Sequence, residues 1–336
     1  MEMRQLGTLW PVSSLTLGGG GLGQLWGETT REEAVATVKR AVDRGITLLD
    51  VAPQYGRGEA ETVVGEAFGG TLPEGVRVTT KCICGNLKPE EMKARLEKSL
   101  LRSIATMKVE QVDIFFLHSN IYPAGYTYEK NADTQEQWAV SWPCYLHGVI
   151  PAMEDFVARG LIDAWGITGV GVPVSIMEAL RFDKKPAVVQ AVANLLDSAG
   201  DMRRYEEPAE PRNIIRTAKN NEVGVMGIRA VQAGALTAKI DRPMPEGSRE
   251  TADYEKAAPF RALCEEWGED PAVIAHRYAL AIEGVDTVVL GVKNRAELDQ
   301  LIDAAEKGPL EQVQIDEIEA LGLRRQIPRI PLDAPI

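Results

Sequence analysis

Short apolar runs recur along the chain, and each is followed by a stretch whose apolar positions fall at helical spacing. Residues 12–17, 46–50, 76–81, 112–118, 162–168, 187–194, 223–229 and 285–291 read as eight strands. Helices are predicted over 59–68, 89–104, 148–159, 173–181, 211–220, 254–267, 271–282, 295–305 and 315–321. One further helix follows Thr30, which forms a capping box with Glu33; Val35, Val38, Ala41 and Val42 mark its buried face and Gly45 ends it. Pro89 suits a first helical turn. Residues 3–11 hold a Leu-Gly turn between two short segments, which predicts an N-terminal hairpin. Strands alternate with helices throughout, and no linker or low-complexity stretch divides them. The expected fold is an α/β closed (β/α)8 barrel. It is expected to form one domain over 1–336, with the hairpin at 1–11, a long aromatic loop at 119–146 and a C-terminal tail at 322–336.

Composition narrows the function classes. The 336 residues are 45% hydrophobic and 26% charged, enough to bury a sizeable core. The 37 basic and 49 acidic side chains leave a net charge of −12, which argues against nucleic acid or anionic membrane as the main partner. Four cysteines show neither a Cys-x-x-Cys pair nor zinc spacing, and three histidines make a histidine-rich metal site an unfavoured expectation. No leader-like apolar segment opens the chain, so a cytoplasmic protein without a membrane segment is expected.

The chemistry gathers at the C-terminal ends of the strands, where parallel α/β folds build their sites. Asp50 shares a strand face with Ile46 and Leu48, and His118 shares one with Val112, Ile114 and Phe116. Lys81 falls on the face of Thr79 and Arg77, so an inward Lys81 places Arg77 at the bottom rim. Tyr55 follows in the loop after Asp50. A lysine beside a tyrosine favours the phenolate and lowers its pKa from ~10. The carboxylate of Asp50 would hold Lys81 charged, and His118 would share a hydrogen bond at the same substrate oxygen. Tyr55 then serves a carbonyl or alcohol oxygen as general acid or base. Neither nucleophile nor metal is required, but a hydride source is, which implies a nicotinamide. A single lysine or histidine at a strand end is commonly a surface or satisfied polar group; the coincidence of four carries the reading.

These residues resemble the aldo-keto reductase superfamily over nearly the whole chain. The resemblance lies in VSSLTLGGG, LLDVAPQYGRGEAETVVGEAF, TTKC, VDIFFLHS, AMEDFVARGLIDAWGIT, VVQAVANLLD and LGVKNRAEL. It implies that Asp50, Tyr55, Lys81 and His118 match the family's catalytic tetrad, with Tyr55 the general acid. It also implies NADP(H), with NAD possible, and an aldehyde, ketone or sugar substrate. Gln190 and Asn194 match polar positions of the sixth strand, the glutamine facing the nicotinamide amide. The family's usual Ser-Asn after the fifth strand is Thr168-Gly169, which keeps a hydroxyl and loses an amide. Ile228, followed by Arg229, stands where a tyrosine commonly stacks on nicotinamide. Lys293 falls where a basic residue often meets the 2′-phosphate, with Arg295 nearby, and Glu297 and Leu301 replace the expected glutamine and asparagine. A solvated helix start is an equal account of Lys293 and Arg295.

Residues 18–23 also satisfy G-x-G-x-x-G after a strand, but the cap comes only at Thr30 and no acidic strand end follows at the ribose spacing. The match is read as incidental. Gly19, Gly20 and Gly291 are assigned to the cofactor, the glycines of residues 18–23 being expected to admit a ligand closely. The long loop carries Tyr122, Tyr126, Tyr128, Trp138, Trp142 and Tyr145. Of these Tyr122, Trp138 and Trp142, together with Trp26, are the substrate-wall candidates; the others are assigned to the loop's own packing. Arg203, Arg204 and Arg229 are candidates for an anionic or polyhydroxylated substrate. Cys82 and Cys84 face away from Lys81 and are assigned to packing. The expected function is NADP(H)-linked hydride transfer to or from a carbonyl. Two alternatives stay open: a cofactor-binding regulatory or sensor barrel with little turnover, and a barrel lyase or isomerase.

Overall fold

Inward-facing apolar residues on alternate strand positions organise the structure, a computed structural model that describes residues 1–129 and 132–329. The strands are β1 Leu15–Gly18, β2 Leu48–Asp50, β3 Arg77–Cys82, β4 Val112–Leu117, β5 Ile162–Thr168, β6 Val188–Val192, β7 Gly224–Ile228 and β8 Thr287–Leu290. All eight are parallel in chain order, and β8 closes on β1 through Val288–Leu15, Val289–Thr16 and Leu290–Leu17. Leu48, Ile114, Phe116, Ala164, Val188 and Met226 fill the interior. Their neighbours Leu49, Phe115 and Leu117 point outward into the helix layer. This is the period-two alternation the sequence shows.

The hairpin of Met3–Gln5 and Pro11–Ser13 closes the bottom. Leu6 and Val12 are fully buried in the interior cluster. Gly7 has φ 54°, and a Cβ there would lie 2.4 Å from the Gly224 nitrogen, so only glycine fits this approach. Arg77 sits at the bottom rim as parity requires. It lies 3.9 Å from the Trp10 ring centroid and donates to Asp113 at 2.8 Å.

Four expected elements change. The strand expected over 12–17 is two elements, since Ser13 ends the hairpin and β1 starts at Leu15. The Ser13 N–H donates to Thr47 Oγ1 at 2.9 Å and its hydroxyl to the Leu15 carbonyl at 2.6 Å, bending the chain there. The helix expected over 254–267 divides into Arg249–Lys256 and Ala258–Trp267, because Pro259 has no N–H to continue the first. The 119–146 segment is not a bare loop. Asn120–Tyr122 pairs in parallel with Ala139–Ser141, and a helix spans Ala132–Trp138. The helix expected from 148 already begins at Trp142–Cys144 and passes through a π segment, Tyr145–Val149, into Ile150–Ala158. Pro151, lacking an N–H, widens that turn. Positions 130–131 of the loop and 330–336 of the tail lie outside the described residues. Among the described residues no helix is long and apolar enough to cross a membrane.

The loops after β6 and β7 are tied by a buried polar network. Arg229 takes a left-handed φ of 60° and donates to Gln232 at 2.7 Å and Glu250 at 2.5 Å. Gln232 donates to Ser198 and Asp253, while the Asn194 amide bonds the backbone of Leu196, Ser198 and Arg229. Arg229 lines the cleft while its guanidinium anchors the loop, and Asn194 serves the backbone. Burial raises the Glu250 carboxyl, but its contacts with Asp201 and Arg229 outweigh that and hold it at about 2.

Two stability predictions follow from this packing. Leu6→Ala empties part of the barrel floor and is expected to cost ~2–5 kcal/mol in urea unfolding. An effect below ~1 kcal/mol would mean the hairpin is not part of the core. Arg229→Met strands the buried Glu250 carboxylate, with an expected loss of ~3–5 kcal/mol at pH 7. Glu250 has a depressed folded pKa, so its stabilisation is present above the unfolded value of ~4.3 and fades as pH falls toward 2. The gap between variant and wild type should narrow over that window; a constant gap would contradict the pairing.

Candidate active site

Three successive strands deliver one polar group each to the same point. Asp50 ends β2, Lys81 is next to last on β3, and His118 follows β4, its N–H still in the ladder to Cys82 at 2.8 Å. Tyr55 opens a tight turn, Tyr55–Gly58, in which Gly56, Arg57 and Gly58 all have positive φ. A Cβ on Gly56 would lie 2.7 Å from the Gly23 carbonyl oxygen, so the turn depends on glycine there.

The four groups meet. The Lys81 ammonium is fully buried and donates to Asp50 Oδ2 at 2.8 Å and to the Val51 carbonyl at 3.0 Å. It lies 4.6 Å from the Tyr55 ring centroid, and the Tyr55 and His118 rings meet edge to face at 6.0 Å. Asp50 Oδ1 accepts from the Thr79 hydroxyl at 2.6 Å and the Gln190 amide at 2.7 Å. Thr79 was not picked out from sequence, although it shares the inward face of Lys81. Gln190 lines the cleft, and its amide gives one N–H to Asp50, which leaves its other N–H and its carbonyl oxygen.

The electrostatics differ from the expectation in one respect. Burial raises the Tyr55 pKa, Lys81 opposes it, and the net direction is up rather than down. Tyr55 is thus held as a phenol, with Lys81 limiting the rise. Burial also disfavours the Lys81 cation, but Asp50 and Tyr55 outweigh it and keep Lys81 charged. Burial, then Lys81 and Arg204, pull His118 down to about 3, so its imidazole is neutral. Its Nδ1 and the Thr168 hydroxyl are buried without a hydrogen-bond partner.

A cleft of about 390 Å³ runs from Asp50, Tyr55 and His118 past Thr168 and Ile228 to Lys293. Gly19, Gly20, Gly291 and Glu297 also line it. The glycines admit a side chain where a ligand was expected. A Cβ on Gly20 would lie 2.4 Å from Trp26 Nε1 and one on Gly291 3.2 Å, so the indole packs on both. Residues Gly19–Leu22 form a single helical turn, and the long helix starts at Arg31 behind Thr30, as the capping box indicates. Gly169 does not line the cleft. A Cβ there would lie 2.9 Å from Val189 Cγ2, and its N–H donates to the Gln190 carbonyl at 2.8 Å, which is a packing role.

At the far end Lys293 is ion-paired with Asp241 and lies 3.5 Å from Glu297. Arg295 leaves the cleft for the surface and pairs with Glu33 at 2.8 Å, so it is not a cofactor contact in this arrangement. Asp241 and Arg242, in the loop after β7, were missed from sequence and carry no pattern that marks them. Arg242 lies 5.2 Å from the Trp26 ring centroid, so this loop and the one after β1 meet across the cleft. The substrate candidates separate. Trp26 lines the cleft. Tyr122 is buried and donates its hydroxyl to Asn86 at 2.9 Å. Trp142 stacks on Tyr145 at 5.3 Å, with Phe182 against its edge. Trp138 lies under Arg204, 4.1 Å from ring centroid to guanidinium.

Comparison with known proteins places the chain in a family. The chain is 24% identical to L-galactose dehydrogenase of Arabidopsis thaliana over 328 residues, covering 96% of this chain and 94% of that protein. It is 25% identical to the NADH-specific methylglyoxal reductase of Escherichia coli, over 68% of this chain and 66% of that one. A solved aldo-keto reductase from Klebsiella pneumoniae in complex with NADPH superposes with a TM-score of 0.68 at 18% identity, covering 98% of both chains. Residues 14–322 match the Aldo/keto reductase family, and the chain is an oxidoreductase of that family.

Proposed function

We propose that this protein transfers hydride between NADP(H) and the carbonyl or alcohol carbon of a small aldehyde, ketone or sugar, with Tyr55 as proton donor and acceptor. The observation that carries the reading is the Tyr55 phenol, set between a charged Lys81 and a neutral His118 at one end of an elongated cleft. Bound nicotinamide supplies or accepts the hydride. Its fit rests on three features: the unpartnered Thr168 hydroxyl, the apolar Ile228 beside it, and the Lys293 cation at the far end. Lys293 would take the 2′-phosphate in exchange for Asp241.

The protein's own groups do the proton chemistry. Tyr55 gives its proton to the substrate oxygen during reduction and takes it back during oxidation. Lys81 stabilises the phenolate so formed, and Asp50 keeps Lys81 charged and aimed. Thr79 and Gln190 fix the Asp50 carboxylate. His118, being neutral, donates one hydrogen bond to the same oxygen without exchanging a proton with it. The relatives' names include both a sugar dehydrogenase and an aldehyde reductase, and this proton relay serves either direction.

Titration with NADPH and NADH, followed by tryptophan fluorescence, is the direct test because Trp26 lines the cleft. The expected result is saturable binding, tighter for NADPH by ~10-fold, with the preference lost in Lys293→Met. Preference for NADH would remove the Lys293 role; binding of neither would sink the redox reading. Tyr55→Phe should keep cofactor affinity and lower turnover ~100-fold or more. Unchanged turnover in that variant would take Tyr55 out of the reaction. The pH profile gives an independent check. Reduction needs Tyr55 protonated, so its rate should hold through neutral pH and fall only as the raised Tyr55 pKa is passed. His118 titrates near 3 and should add no break between pH 5 and 9.

A further inference from the structure

Two threonines precede Lys81, and β3 turns them to opposite sides. Thr80 faces the helix Glu59–Phe68 and donates its hydroxyl to Glu61 at 2.7 Å. Thr79 faces the interior as Lys81 does, has no exposed surface, and is the register partner of Asp50 on β2. Its hydroxyl donates to Asp50 Oδ1 at 2.6 Å. A β-branched side chain has little χ1 freedom, so the strand backbone fixes this donor. The other donor to Oδ1, Gln190 at 2.7 Å, comes from β6 on a longer side chain that also lines the cleft.

What the Thr79 contact does depends on the donors of Lys81. An ammonium has three N–H groups. One goes to Asp50 Oδ2 at 2.8 Å and one to the Val51 carbonyl at 3.0 Å. The third is left for Tyr55, whose ring centroid lies 4.6 Å from Nζ and which helps to hold Lys81 charged. Asp50 and Tyr55 therefore compete for one cation. The carboxylate torsion of an aspartate is soft, so nothing in Asp50 itself keeps a single oxygen on Lys81. If Oδ1 lost its fixed donor, the carboxylate could regain a bond by turning both oxygens toward the ammonium. In a buried site that bond is worth making, because an unsatisfied carboxylate oxygen is costly there. It would be made with the N–H now left for Tyr55.

We infer that Thr79 is a positioning residue for the proton transfer: by occupying Asp50 Oδ1 it confines the carboxylate to one Lys81 N–H and reserves another for the Tyr55 oxygen. Thr79 does not line the cleft. It acts through Asp50 and Lys81, and it sets how readily Tyr55 gives up its proton. Its part in catalysis rests on the redox reading above, whereas the division of the Lys81 donors stands on the buried contacts alone.

The test follows Tyr55 ionisation by NMR of protein labelled with 13C at the tyrosine phenol carbon. The Tyr55 signal is the one missing in Tyr55→Phe. Thr79→Val removes the hydroxyl at nearly constant volume, and the Tyr55 midpoint should move up by ~0.5–1 pH unit. Thr79→Ser keeps a hydroxyl and should recover most of that shift. Thr80→Val removes an equally buried hydroxyl from the opposite face and should leave the midpoint in place, whatever it costs in stability. An unmoved midpoint in Thr79→Val would overturn the inference, as would an equal shift in Thr80→Val. Thr79→Cys, whose thiol is a weak donor, gives the same comparison if Thr79→Val does not fold. Turnover supplies a second readout. Oxidation of benzyl alcohol needs the phenolate, so its kcat at neutral pH should fall ~3–10-fold in Thr79→Val, with NADPH affinity held within twofold. A kcat that stays level while the midpoint moves would remove Thr79 from the proton transfer. A moved midpoint in a protein that binds neither NADPH nor NADH would sink the redox reading and leave the division of the Lys81 donors standing.

Discussion

A fully buried ammonium sets the terms for the rest of the active site. Lys81 has no exposed surface, and taking such a charge from water costs several kcal/mol unless partners restore the loss. Asp50 restores most of it, and Asp50 in turn needs Thr79 and Gln190 on its other oxygen. The pair therefore draws three strands, β2, β3 and β6, into one register at the barrel mouth. Their backbone positions cannot drift without separating the charges. The same charge then acts on both neighbours. It resists the burial-driven rise of the Tyr55 pKa and helps keep His118 neutral. One buried, paired cation in a closed barrel thus assigns a proton donor and a hydrogen-bond donor among otherwise ambiguous polar groups.

The loops complete the site by a different principle. Strands place atoms through register; the loops here are placed by side-chain contacts with one another. Arg229, Gln232, Glu250 and Asn194 tie the segments after β6 and β7 together beneath the mouth. Above it, Trp26 packs on Gly20 and Gly291 and meets Arg242, while Lys293 pairs with Asp241. The cleft is consequently bridged at its far end by one ion pair and one cation–aromatic contact. Both are partly exposed, so each is weak compared with the buried Lys81–Asp50 pair. The rigid end carries the proton chemistry and the loosely tied end spans the cleft.

This division explains what was legible in the sequence. Strand parity placed Asp50 and His118, because a period of two admits only two answers and one of them buries the apolar face; it left Lys81 open, since that residue shares a face with Arg77 and Thr79, and the family resemblance favoured the inward choice. It even located Arg77, at the rim against Trp10. The barrel followed from a different pattern, eight strands alternating with helices. Parity says nothing about where a loop side chain goes. Arg229 and Arg295 look like free cations in sequence, and their partners Glu250 and Glu33 lie 21 and 262 residues away. Tyr122 and Trp142 looked like substrate walls because aromatic content marks a packed region without showing which side faces the ligand. The Gly18–Gly23 run signals close approach, but the approaching groups belong to the protein itself: Trp26 at Gly20, Val292 at Gly21 and Tyr55 at Gly23. The Tyr55 pKa was misjudged for a related reason. A charged neighbour can be inferred from sequence, whereas the extent of burial, which here prevails, depends on the packed loops.

The net charge of −12 conceals a local balance at the reacting end. Asp50 is matched there by Lys81, and His118 is neutral. The buried Lys81 cation and the neutral imidazole favour negative charge as it forms on an oxygen receiving hydride. The strength of that preference rests on Lys81 staying buried beside Asp50, where the charge is poorly screened, rather than on the charge of the protein as a whole.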